Sequence, residues 1–280
     1  MYVDIEGPAG GGQAGRLELL HEEAAGTPRG APPLLFVHGA FLGAWCWRVH
    51  YLPYFAERGY DAYAVSLRGH GGSGGRDEVA TASLSDYADD LAEAVAAFDE
   101  PPVLIGHSMG GAVVDLALRR GVAASAAVFL ATVPPTGLAP VGTQLMLTRP
   151  RLLWELGVLQ GLGPGWVDID EAQRLLFAQG LSPEALLEYT GRMQPESQLA
   201  LAEMGMPRWP QWRGVEVPVA VIGAEADLLI PPWLVRMTAW LYGVRPRWIP
   251  HAGHAAMLEP QWQRGAEVVA EALGELILQR

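Results

Sequence analysis

The sequence is short of cysteine, of basic charge and of long apolar runs, and each shortage excludes something. Its one cysteine, Cys46, cannot close an intramolecular disulfide, so no disulfide framework holds the fold. No Cys/His cluster has the spacing of a structural zinc site. Lys and Arg number 19 against 31 Asp and Glu, a formal charge of −12. A chain this acidic is repelled by phosphate backbones and anionic membranes, which argues against a nucleic-acid partner. No apolar run reaches the ~18 residues of a membrane span. The opening MYVDIEGPAGGGQAG lacks the basic patch and apolar stretch of a secretory signal. The default expectation is a soluble cytoplasmic protein.

What is present is a large apolar inventory. Of 280 residues, 50% are hydrophobic and 18% charged, enough for one large α/β domain or two small ones with a substantial core. Short apolar runs read as buried strands at Leu34 to Val37, Val103 to Ile105, Ala126 to Ala131 and Val217 to Ile222. Arg16 to Glu23, Tyr60 to Leu67 and Arg245 to Ile249 read as further strands. Helices are expected at Trp45 to Arg58, Gly111 to Arg120, Trp233 to Tyr242 and Gln261 to Ile277. Leu84, Tyr87, Leu91, Val95 and Phe98 recur at steps of three and four, the apolar face of another helix. Strands alternating with helices predict an α/β fold with a mainly parallel sheet of about eight strands, flanked by helices.

The stretch from Thr136 to Gly214 breaks this alternation. It offers short helical pieces rich in Leu, Met and Trp, punctuated by Pro150, Pro164, Pro183, Pro195, Pro207 and Pro210. It reads as a helical cap, 136–214, inserted into a core domain formed by 1–135 and 215–280. A separate helical domain packed elsewhere is the alternative.

Gly106-His107-Ser108-Met109-Gly110 lies between a core strand and a helix. A Gly-x-Ser-x-Gly turn in that setting is a nucleophile elbow, whose sharp turn lifts the serine hydroxyl above the sheet. The helix that starts there aims free N–H groups at a reacting carbonyl. The alternative reading of the five residues is a purely structural strand–turn–helix. A serine hydroxyl needs a base, and in this arrangement the triad runs Ser, Asp or Glu, His along the chain.

Two late loops fit. Asp227 follows the Val217–Ile222 strand and precedes Leu228-Leu229-Ile230-Pro231, with Glu225 as the competing acid. His254 follows Gly253 and precedes an apolar run, with His251 as the competing base. His38, His70 and His107 lie near the same edge but precede the acid, and read as structural. The oxyanion donors are expected at the N–H groups of Met109 and Ala40, with Phe41 as the fallback for the latter. Phe41, Met146, Leu152, Leu153, Trp154, Trp166, Phe177, Met193, Met204 and Trp209 are candidates for an apolar pocket under the cap. Each is also readable as cap packing. No metal and no organic cofactor is expected. No ligand cluster occurs, and the Gly69–Gly75 run leads into polar loop rather than a phosphate-binding helix.

These segments, with Arg68-Gly69-His70-Gly71-Gly72-Ser73, resemble the α/β-hydrolase superfamily over nearly the whole chain. The run from His38 to Trp47 resembles the plant methylesterase and hydroxynitrile-lyase branch. It departs at Phe41-Leu42, where that branch usually has Cys-His. Ala255 stands where the lyases have a lysine, so the resemblance implies an esterase rather than a lyase. Ser108 replaces the aspartate of the dehalogenases and epoxide hydrolases of this fold. The resemblance implies a four-helix lid and a serine hydrolase that cleaves a small or medium, largely apolar ester through an acyl-enzyme. Perhydrolysis, C–C cleavage and thioester hydrolysis use the same triad, and a small-ligand receptor of the same fold is the non-enzyme alternative.

Overall fold

In the computed structural model the described residues are 2–6, 16–25, 29–162, 166, 168–208 and 214–278. They form one eight-stranded sheet, with strands β1 (Tyr2–Glu6), β2 (Arg16–Glu22), β3 (Leu34–Val37), β4 (Ala62–Ser66), β5 (Val103–His107), β6 (Ala126–Leu130), β7 (Val219–Ala224) and β8 (Arg247–Ile249). Their order across the sheet is β1-β2-β4-β3-β5-β6-β7-β8. β1 and β2 run antiparallel to their neighbours, and from β4 to β8 all pairs are parallel.

Side-chain alternation along the central strands builds two cores. Phe36, Ile105, Val128 and Ile222 face one side, where α1 (Trp45–Arg48), α2 (Tyr51–Ala56) and α11 (Trp262–Leu278) bury Trp47, Tyr51, Phe55, Val269 and Leu273 against them. Leu35, Leu104, Phe129 and Val221 face the other. There α3 (Leu84–Ala96), α4 (Met109–Arg119) and α10 (Pro232–Leu241) contribute Tyr87, Leu91, Val113 and Leu234. β3, β5 and β6 are buried at every residue, which is why their sequences are continuous apolar runs rather than alternating ones. α3 starts at a capping box, with the Ser83 side chain on the Asp86 N–H and Asp86 returning to the Ser83 N–H.

Between β6 and β7 the described residues form α5 (Ala139–Thr148), α6 (Pro150–Leu162), α7 (Ile169–Leu176), α8 (Pro183–Arg192) and α9 (Gln198–Gly205). Pro150 and Pro183 each open a helix, where a missing N–H removes no intrahelical bond. Asp168, Ser182 and Ser197 cap the last three.

Two local readings of the sequence change. The helix expected from Trp45 to Arg58 is broken at His50, whose φ is −139°. A continuous helix would need the Pro53 nitrogen to donate to Val49, and proline has no N–H. The chain restarts so that Pro53 falls in the first turn of α2. β8 begins at Arg247 rather than Arg245, because Pro246 cannot join the ladder. β1 was not expected at all. Its five residues carry little pattern of their own, and pairing with β2, Tyr2 opposite Leu20 through Glu6 opposite Arg16, defines it.

The parallel order has a functional consequence. The loops after β3, β5, β7 and β8 all leave the carboxyl edge of the sheet, the edge where open α/β sheets bind ligands.

Candidate active site

Ser108 is the single residue between β5 and α4, with φ 52° and ψ −117°. A positive φ is unfavourable for a residue with a side chain, so neighbouring packing must hold the turn. Glycines allow it. A Cβ on Gly106 would lie 2.5 Å from the Gly110 carbonyl oxygen, and one on Gly110 would lie 2.5 Å from that of Val37. The serine N–H donates to Leu130 at 3.1 Å, and its carbonyl accepts from Gly111 and Val133, each at 3.1 Å.

His254, on the loop after β8, meets it. Its Nε2 lies 2.9 Å from Ser108 Oγ, and its Nδ1 lies 2.8 Å from Asp227 Oδ2. Donation from Nδ1–H to the carboxylate leaves Nε2 as an acceptor facing the serine hydroxyl. Asp227 is 2% exposed. Its other oxygen, Oδ1, accepts from the N–H groups of Leu229 and Ile230, both at 2.8 Å, so the carboxylate is aimed by its own loop. Glu225 and His251 lie apart from this chain of contacts. Both are exposed, and Glu225 Oε2 accepts from the His251 main chain at 3.3 Å.

His38, His70 and His107, which precede the acid, are buried. His107 Nε2–H donates to the His254 carbonyl at 2.9 Å, and burial, then His254, holds its pKa well below the ordinary value. His38 donates from Nδ1 to the Gly39 carbonyl at 2.8 Å and accepts from the Leu67 N–H at 3.0 Å. Burial, then His70, pushes His38 down to about 3. His70 faces Glu196, a carboxylate that the sequence reading did not single out. Its only signal was its place as an acid inside an apolar cap. Glu259, also unremarked, accepts from Gly253 at 2.9 Å and Ala178 at 2.6 Å, tying the His254 loop to the cap.

The loop after β3 packs directly on the elbow. A Cβ on Gly39 would lie 2.8 Å from His107 Nδ1 and 3.1 Å from Ser108 Cβ. Among the described residues the N–H groups of Ala40 and Met109 have no hydrogen-bond partner. The Phe41 N–H has one, Glu196 Oε2 at 3.2 Å, so the fallback donor is already engaged.

A cavity of about 280 Å³ opens from Ser108 and His254 into the cap. Phe41, Phe177, Met193 and Met204 line it, together with Trp45, Val141, Leu145, Leu153, Leu156 and Tyr189, and among the described residues no Asp, Glu or Arg reaches its wall. Met146, Trp154 and Trp166 do not line it and are 58%, 71% and 72% exposed. On α5 and α6 the inward positions are Leu145, Leu153 and Leu156, so the next residues, Met146 and Trp154, turn to solvent. Leu152 is buried in the cap's packing rather than at the cavity. Trp209 lies outside the described residues. Among the described residues no helix is long and apolar enough to cross a membrane.

The family model described as "Alpha/beta hydrolase family" matches residues 34–271, and the chain belongs to that family. Its sheet and helices form the α/β-hydrolase fold. The chain is similar to "Probable esterase PIR7A" of Oryza sativa subsp. indica, 32% identical over 179 residues, covering 62% of this chain and 65% of the relative. The match thus spans just under two thirds of that relative's length. It is also similar to "Norfluorocurarine synthase 1" of Strychnos nux-vomica, 39% identical over 110 residues, 38% of this chain and 40% of the relative. Among solved structures, a thermophilic esterase from Thermogutta terrifontis shares the fold with a TM-score of 0.70 at 22% identity, covering 99% of each chain.

Proposed function

We propose that the protein is a carboxylic ester hydrolase that works through an acyl-enzyme on Ser108. The observation that carries this is the unbroken contact from Ser108 Oγ to His254 Nε2 at 2.9 Å and from His254 Nδ1 to Asp227 Oδ2 at 2.8 Å, at the mouth of an apolar cavity. The esterase named among the relatives agrees with it.

Ser108 attacks the ester carbonyl while His254 takes the hydroxyl proton. Asp227, held by two N–H groups, orients the imidazole and stabilises its charged form. The Ala40 and Met109 N–H groups receive the oxyanion. His254 then protonates the leaving alcohol, and later activates the water that releases the acid. The substrate is small or medium and largely apolar. Among the described residues no Asp, Glu or Arg lines the cavity to pair with a buried substrate charge, which would cost several kcal/mol. Residues 136–214 act as the lid that selects the substrate, because α5, α6 and α9 supply Leu145, Leu156 and Met204 to the cavity wall.

The test is turnover of p-nitrophenyl esters from acetate to laurate by the purified protein, with Ser108→Ala as control, and labelling by a fluorophosphonate. Turnover and labelling that both vanish in the variant support the reading. Ligand-induced thermal shifts with neither turnover nor labelling would make the protein a binding module instead.

A further inference from the structure

Glu196 and His70 form an ion pair sealed from solvent, with Glu196 Oε2 3.1 Å from His70 Nε2 and both side chains 0% exposed. Nothing in the proton transfers at Ser108 uses them. Their partners show what they hold. Glu196 Oε1 accepts from the Tyr87 hydroxyl at 2.6 Å and the Ser197 N–H at 2.7 Å. Oε2 accepts from the Phe41 N–H at 3.2 Å. His70 Nδ1 lies 3.0 Å from the Arg68 carbonyl, an acceptor. With a carbonyl accepting at Nδ1 and a carboxylate in ion-pair contact at Nε2, the surroundings of the ring favour its protonated form. Burial alone would lower its pKa, but Glu196 and the Arg68 carbonyl outweigh burial and raise it. Burial likewise would raise Glu196, but His70, Tyr87 and Ser197 outweigh it and lower the carboxyl.

Phe41 is the residue after the proposed oxyanion donor, and its φ of 64° is left-handed. The cap segment between α8 and α9 takes both of its main-chain groups: the N–H goes to Glu196, and the carbonyl accepts from the Gln194 N–H at 2.9 Å. The preceding peptide is fixed from its other side. The Gly39 carbonyl, in the same peptide unit as the Ala40 N–H, accepts from His38 at 2.8 Å. A peptide plane held by its carbonyl points its N–H the opposite way.

We propose that Glu196, paired with His70, is a positioning residue: it anchors the Phe41 N–H, holds Phe41 left-handed and so keeps the Ala40 N–H directed at the substrate oxyanion. This rests on the ester-hydrolase reading above. The carboxylate is required because three hydrogen-bond donors and the His70 ring surround it. A glutamine there sets its NH₂ against either Phe41 and His70 or Tyr87 and Ser197, and the anchor fails.

The experiment compares wild type with Glu196→Gln on a p-nitrophenyl ester. It adds affinity for a trifluoromethyl ketone, which forms a tetrahedral oxyanion on the serine, and for the corresponding alcohol, which does not. The variant is expected to lose about ten- to a hundredfold in kcat and a similar factor in ketone affinity, somewhat less than deletion of a donor. KM and alcohol affinity should stay within about threefold, since only an interaction made in the transition state is lost. A merely structural role would lower Tm while leaving kcat per folded molecule and ketone affinity unchanged, and that result overturns the proposal. If Glu196→Gln does not fold, Tyr87→Phe decides. It removes one donor and should lower kcat and ketone affinity together by about threefold or more, while unchanged values overturn the proposal. Absence of wild-type turnover would defeat the hydrolase reading, and this proposal with it. Wild-type turnover with a fully active Glu196→Gln would defeat this proposal alone.

Discussion

His107 donates from Nε2–H to the main-chain carbonyl of His254 at 2.9 Å, with the two rings 4.8 Å apart. The residue just before the proposed nucleophile therefore holds the loop that bears the proposed base. His107→Ala would strand a buried carbonyl and open space beside the imidazole. We expect kcat/KM for an ester to fall by about tenfold or more, since small misplacements of reacting groups are costly. Steady-state kinetics at matched folded fraction would show it, and a wild-type rate would mean that the loop's contacts with Glu259, Leu176 and Ala226 hold it without His107.

Ser108→Ala and His254→Ala should each reduce ester turnover by about three orders of magnitude or more, with folding retained. Asp227→Asn should be severe as well, because an amide cannot both keep the tautomer and stabilise the imidazolium. Glu225→Gln should be close to wild type, because that carboxylate is exposed and faces the His251 main chain. A damaging Glu225→Gln beside a benign Asp227→Asn would reverse the assignment of the acid.

Cap substitutions should divide by which way the side chain points. Leu145→Ala and Met204→Ala widen the cavity and should move the preferred acyl length upward, with effects of a few-fold to ~200-fold per methylene-sized contact. Trp154→Ala should leave the profile unchanged, because Trp154 is 71% exposed. The measurement is kcat/KM across the acetate-to-laurate series. A wild-type profile in every cavity variant would transfer selection from the cap to the sheet-edge loops.

Stability should decline on mild acidification. Burial and His70 push His38 down to about 3, and burial and His254 push His107 well down, so both are neutral when folded. Unfolded, each takes up a proton near its ordinary value of 6.5. Their contribution is complete above that value and is lost as pH falls towards the folded pKa. Between pH 6.5 and about 5, each histidine should remove up to about 1.4 kcal/mol per pH unit. Urea unfolding across that range tests it. His38→Gln, whose amide can still donate to Gly39 and accept from Leu67, should lose roughly half the slope. An unaltered slope would show that His38 does not titrate between the two states.

The elements that bury themselves on both sides were legible along the chain. Leu34–Val37, Val103–His107 and Ala126–Leu130 are unbroken apolar runs because the sheet covers them twice. The Gly106–Gly110 spacing was legible because glycine is the only residue those close approaches tolerate. Asp227 and His254 could be placed after strands, ahead of apolar runs, since a parallel sheet sends those loops to one edge. What the chain order could not carry is direction and long-range pairing. Whether Leu145 or Met146 faces the cavity depends on how α5 is turned about its axis beside α6, a rotation of one residue. Glu196 lies 126 positions from His70 and 155 from Phe41, and local pattern does not encode a contact at that separation. The sequence by itself determined the parallel core of the sheet, the elbow and the order of the three candidate catalytic residues, through burial and backbone geometry. Only the tertiary structure decided which cap side chains enclose the cavity and which buried charge grips the loop beside Ser108, because packing between distant segments sets both.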